Sequence, residues 1–68
     1  MKEYTGINDF KNKKLYVGDK VQANTTGAIG RIEKDKDYIG DEQYFVRWHE
    51  YTREILNNFI GEHVKKHR

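Results

Sequence analysis

The chain of 68 residues has no cysteine, so neither a disulfide nor a thiolate metal site supplements its core. That composition suits a reducing compartment. No apolar run comes near the roughly 18 residues of a membrane span, and the opening MKEYTGIND lacks the apolar centre of a secretory leader. The expectation is a cytoplasmic protein with no membrane contact. Hydrophobic residues are scarce at 35%, matched by 35% charged residues. A chain of about 60 residues buries only about 60% of the surface its unfolded form exposes, so large side chains must do the covering. Five Tyr, three Phe and one Trp supply that area from few positions. The reading is one small folded domain, residues 1–68.

Charge is unevenly placed. Lys2, Lys11, Lys13, Lys14 and Lys20 outnumber Glu3, Asp9 and Asp19 at the start, and Lys65, Lys66 and Arg68 outnumber Glu62 at the end. The middle is acidic, with Asp41, Glu42, Glu50 and Glu54 against Arg47 and Arg53.

The segment Leu15 to Ile32 organises the rest. Gly18-Asp19 is a turn pair, in which Gly takes positive φ and the carboxylate bonds nearby N–H groups. From Lys20 the side chains alternate, with Val21 and Ala23 on one face, and Asn24 to Gly27 then form a loop. The strand resumes from Gly27, and Gly30 within it marks a bulge or a close approach by another backbone. Ahead of this segment, Tyr4 to Asp9 and Leu15 to Val17 make a hairpin with Asn12 at positive φ.

Glu33 to Gln43 reads as a charged hairpin tip around Gly40-Asp41. Gln43 to His49 alternates again, which predicts Tyr44, Val46 and Trp48 in the core and Phe45, Arg47 and His49 outside. Trp48 is expected to anchor that core. Beyond it, the reading is a strand over 53–59, a helical turn at Ile60 to Glu62 and a last strand from His63 to Lys66; the alternative is an α-helix in place of the first two, suggested by the helical spacing of Tyr51, Ile55, Leu56, Phe59, Ile60, His63 and Val64 and disfavoured by Asn57, Asn58 and Gly61. The fold class is mainly β: a small five-stranded SH3-like barrel with an N-terminal hairpin and one short helical turn near the C-terminus.

YTGINDFKNKKLYVGDKV, from Tyr4 to Val21, resembles the opening segment of the YopX-like family of phage and prophage proteins. Tyr4, Thr5, Gly6, Asp9, Lys13, Tyr16, Gly18, Asp19 and Val21 match its residue types without a gap. At the hairpin tip the family's Asn-Gly is replaced by Lys11-Asn12, so Asn12 must take the glycine's conformation. Tyr44 to Trp48 and Glu54 to Phe59 are similar to later family strands, and the chain is shorter than the family's usual members. The resemblance implies a barrel-like β fold, a phage or prophage origin and hence a bacterial host cell. It implies no activity, cofactor or catalytic residue.

The residues themselves suggest no catalysis. Asp35 to Gly40 begins like a calcium loop, but Ile39 and Val46 stand where oxygen ligands are required. His63 and His67 have no third ligand nearby, and His49-Glu50 has no enclosing pocket in prospect. Thr5, Thr25, Thr26 and Thr52 lack triad partners, and no glycine-rich phosphate loop precedes a helix. The chain is therefore read as a binding module with no catalytic, cofactor or metal site, a monomer or weak homo-oligomer.

A protein partner is the first expectation, contacted through Tyr38, Phe45, Arg47 and Tyr51, because an exposed aromatic beside a guanidinium grips a partner well. The alternative is nucleic acid, bound by Lys11, Lys13, Lys14, Lys20, Lys65, Lys66 and Arg68 gathered into one patch, with Phe45 and Arg47 beside them. Against it, lysines also protect edge strands from pairing with other chains. A third possibility is a structural accessory that self-assembles through edge strands.

Overall fold

A computed structural model describes residues 2–67. Strands β1 (Tyr4–Asn8) and β2 (Lys14–Tyr16) pair as a hairpin. Strands β3 (Lys20–Ala23), β4 (Ile29–Lys36), β5 (Glu42–His49), β6 (Thr52–Ile55) and β7 (Val64–His67) form an antiparallel sheet in the order β6-β5-β4-β3-β7, with a short helix α1 (Asn58–Glu62) between its last two strands. The core lies between hairpin and sheet. Leu15, Val21, Ile32, Val46, Leu56 and Val64 are buried there, flanked by Ile7, Tyr44, Trp48 and Ile60.

The turns follow from single residues. Asn12 holds φ 62° and Gly18 φ 95°, as their residue types predict. Asp19 then bonds back across the Gly18 corner, its Oδ2 accepting from the Tyr16 N–H at 2.9 Å. Gly30 has a different reason to be glycine, since an added Cβ would sit 2.8 Å from both Val46 Cγ1 and Trp48 Cε3. The close approach is made by side chains, and the β3–β4 register runs through Gly30 without a shift.

Several boundaries differ from the expected ones. β4 begins only at Ile29, because Gly27 at φ 75° still belongs to the loop. It then continues through Lys36, so the hairpin tip shrinks to Asp37–Asp41, where Asp37 Oδ1 accepts the N–H groups of Ile39 and Asp41. β6 stops at Ile55. Asn57, a poor helix former in mid-segment, instead caps α1: its side chain accepts the Ile60 N–H at 2.9 Å. His63 closes the helix through its N–H to Ile60 O, which moves the start of β7 to Val64.

The sheet is also open. Among the described residues no pairing joins β6 to β7, so the expected barrel closure is absent. The two edges are treated differently. The hairpin covers β7, with the Phe10 N–H donating to Val64 O and Asp9 Oδ2 accepting the Lys66 N–H. β6 pairs with β5 alone, and all four of its residues are exposed.

Asp19 sets an acid limit on this arrangement. Burial pushes its carboxyl pKa up, but the Tyr16 N–H and the ammonium groups of Lys2 (3.0 Å) and Lys66 (3.3 Å) outweigh that and hold it below its ordinary value. Such a group stabilises the fold in full above its unfolded pKa, near 4, and loses that contribution as pH falls through the lower folded value. Thermal midpoints should therefore be level above about pH 5 and fall below about pH 4, with Asp19→Asn showing a shallower acid decline. Parallel declines in both proteins would show that Asp19 is not the group responsible.

Candidate functional site

Where the sheet stays open, the gap between β6 and α1 forms a groove of about 370 Å³. Trp48, Glu54, Phe59, Ile60, His63 and Val64 are among its lining residues, and most of its surface is apolar. Trp48 turns inward from β5 and lies against Gly30, the one position on the facing strand without a side chain to hold it off. Its indole Nε1 donates to Glu54 Oε1 at 2.8 Å, tying β5 to β6 across the groove wall. On the far side, Phe59 and His63 project from successive turns around α1. Their rings are 4.5 Å apart at 37°, and His63 Nδ1 is 2.7 Å from Phe59 O. Phe59 remains 67% exposed.

The lining has little capacity for chemistry. Its two ionisable groups, Glu54 and His63, are engaged by the indole and by a backbone carbonyl, and the groove is open along its length. It is suited to an apolar side chain that needs a wall of aromatic surface.

Trp48 packs against the core, as its parity predicts, but does not anchor it. The indole is half-buried and forms a wall of the groove, while the centre of the core is aliphatic. Nothing in the sequence marks Phe59 and His63 as a site beyond their helical spacing. Their four-residue separation was the available signal.

The predicted protein contacts are dispersed. Tyr38, 99% exposed, stands at the β4–β5 tip, and Tyr51, 85% exposed, follows β5 at its other end. Phe45 is not exposed. It does face outward from the sheet, but only 4% of it is accessible because the Arg53 guanidinium lies 4.0 Å above its ring. Arg47 is bound by its own chain, through Nε and Nη2 to Glu33 and through Nη1 to Glu50 O. Neither side chain is free to grip a partner.

The predicted lysine patch is divided as well. Lys11, Lys13 and Lys14 belong to the hairpin layer, whereas Lys20 and Lys65 lie on the opposite, outer face of the sheet, out of register with the buried Val21 and Val64. Lys66 points inward to Asp19 with its ammonium 5.1 Å from the Tyr16 ring. Tyr16 meets Tyr4 at 5.6 Å, and Lys14 lies 5.3 Å from Tyr4 in turn. Arg68 lies outside the described residues.

A second polar cluster ties the chain start to the sheet. Tyr44 donates its hydroxyl to Glu3, and Lys34 bridges Glu3 and Glu42 at 3.1 and 3.0 Å. The Tyr44 bond first, then Lys34, holds the Glu3 carboxyl below its ordinary value, and the Lys34 ammonium is correspondingly pushed up by Glu42 and Glu3.

Among the described residues, no three His, Asp or Glu side chains are grouped so as to hold a metal ion. No helix is long and apolar enough to cross a membrane. No family model, curated protein or solved structure matches the chain.

Proposed function

We propose that the chain is a non-enzymatic protein-binding module whose groove and open β6 edge take an extended segment of a partner protein. Its strand order and the helical turn before the last strand fit an SH3-like arrangement left open between β6 and β7. The resemblance of Tyr4 to Val21 to the YopX-like opening segment supports a phage or prophage origin and action in the cytoplasm of a bacterial host.

The observation that carries the reading is the unequal treatment of the two sheet edges. The chain commits two hydrogen bonds of its own to covering β7 and leaves β6 uncovered beside an aromatic groove. An added strand would take main-chain hydrogen bonds from β6 and place alternate side chains into the groove. Charge selects the occupant further. Glu54 gives one carboxylate oxygen to Trp48, and its other oxygen has no hydrogen-bond partner among the described residues. The preferred segment carries an apolar side chain with a Lys or Arg on the same face.

Panning a displayed library of random peptides should enrich such segments. Titrated into isotope-labelled protein, they should shift the Trp48 indole N–H and the β6 amides together. Phe59→Ala should weaken binding about tenfold, or about 1.4 kcal/mol, without loss of fold because the ring lies outside the core. Absence of enrichment, or shifts confined to the Tyr38 tip, would remove the groove as the site. Peptide-independent dimerisation through β6 would replace a foreign partner by a second copy.

A further inference from the structure

The strand registers bring together basic residue types that are far apart in sequence. Arg53 is opposite Arg47, Arg47 opposite Arg31, Arg31 opposite Lys20, and Lys20 opposite His67. One rung on the outer face of the sheet thus carries a cation on each of four strands and a histidine on the fifth. Its two halves differ. Arg47 is paired with Glu33 at 2.8 Å and Arg53 with Asp35 at 3.1 Å, so the β5–β6 half is neutralised. Among the described residues, Arg31, Lys20 and Lys65 have no carboxylate within 4.0 Å. Lys65 lies one rung along, opposite Gln22.

Like charges directly opposite one another destabilise a sheet, so this half of the face works against folding. Edge protection is the usual reason for lysines on an outer strand, but the hairpin already covers the edge of β7. Nor does edge protection account for Lys20 or Arg31, because β3 and β4 are interior strands of the sheet.

We propose that the outer face of β4, β3 and β7 binds the phosphate backbone of double-stranded DNA through Arg31, Lys20 and Lys65. This reading goes beyond the peptide groove and is independent of it, since the groove is built from inward-facing side chains. The cations extend over two strand spacings, about 10 Å, along which a duplex presents about six charges. The lack of a stacking surface favours a duplex over a single strand. A single strand is held by stacking its bases on exposed aromatics; among the described residues Phe45, which faces outward from these strands, is covered by Arg53, and the exposed Tyr51 lies in the β5–β6 turn, away from β4, β3 and β7. With no side chain placed to read base edges, the contact is independent of sequence.

Fluorescence anisotropy of labelled duplex and single-stranded DNA across a salt series tests this. Each neutralised phosphate contributes about 0.9 to the slope of log affinity against log salt, so three cations give a slope near −2.7. The variant Lys20→Gln/Arg31→Gln/Lys65→Gln should lose binding, while Lys13→Gln/Lys14→Gln on the hairpin keeps it. A thermal melt of each variant separates loss of binding from loss of fold, and the wild-type slope stands without any variant. The proposal is overturned by no duplex binding at low salt, by single strands binding as tightly as duplex, or by loss of binding in the hairpin variant. Tighter binding to vesicles of anionic lipid than to duplex would likewise overturn it.

Discussion

Gly61→Ala is expected to remove about 2 kcal/mol, about half of the stability of this fold, even though alanine is the better helix former by about 1 kcal/mol. Gly61 is buried in α1 where the helix meets β1. A Cβ there would stand 2.5 Å from Asn8 O and 2.7 Å from Ile7 Cγ2. The isoleucine methyl has room to turn, but the carbonyl belongs to the β1 backbone and does not. Overpacking of this kind costs about 1–3 kcal/mol, with the upper end applying where backbone must shift. Domains of this size hold about 3–5 kcal/mol in all. Urea unfolding should show a midpoint lowered by about half. A neutral or stabilised variant would mean that α1 is not docked on β1 and that propensity alone governs the position.

Asp9→Ala is expected to have an effect of similar size through a different mechanism. The Asp9 carboxylate is 6% exposed and accepts three backbone N–H groups: Lys11 at 2.9 Å and Lys13 at 2.7 Å on Oδ1, and Lys66 at 2.9 Å on Oδ2. It shapes the hairpin turn with one oxygen and covers the β7 edge with the other. Hydrogen bonds to a charged group are worth about 1.5–3 kcal/mol each, so removing all three costs at least about 3 kcal/mol even when their energies overlap. Asp9→Asn separates the two roles. Its amide oxygen keeps the turn, while its NH₂ group faces the Lys66 N–H, donor against donor. Amide exchange should then accelerate at Lys66 and β7 while the Asn12 turn stays protected. Equal acceleration at both places would show that the carboxylate acts as one unit.

Features that depend only on neighbours along the chain could be read before any strand was paired. Asn12 and Gly18 were recognisable because positive φ is a property of a residue type, and the inward positions of Val21 and Val46 because alternation is a property of one strand. The helical turn before the last strand was readable in the same way. Parity also placed Phe45 on the outer face, and it does point there. Its burial was not readable, because the side chain that covers it, Arg53, comes from the next strand.

Trp48 shows the same division. Its parity places it on the core face, where it packs, yet the β6 edge beside it stays uncovered, so the indole also becomes the wall of a groove. Charge along the chain suggested one basic patch at the termini, but the registers assign the hairpin lysines to one layer and Lys20 and Lys65 to the other face. Those same registers assemble the basic rung from Arg53, Arg47, Arg31, Lys20 and His67. No window of sequence contains it. The row exists only once five strands are paired, because cross-strand neighbours are chosen by hydrogen-bond register and not by distance along the chain.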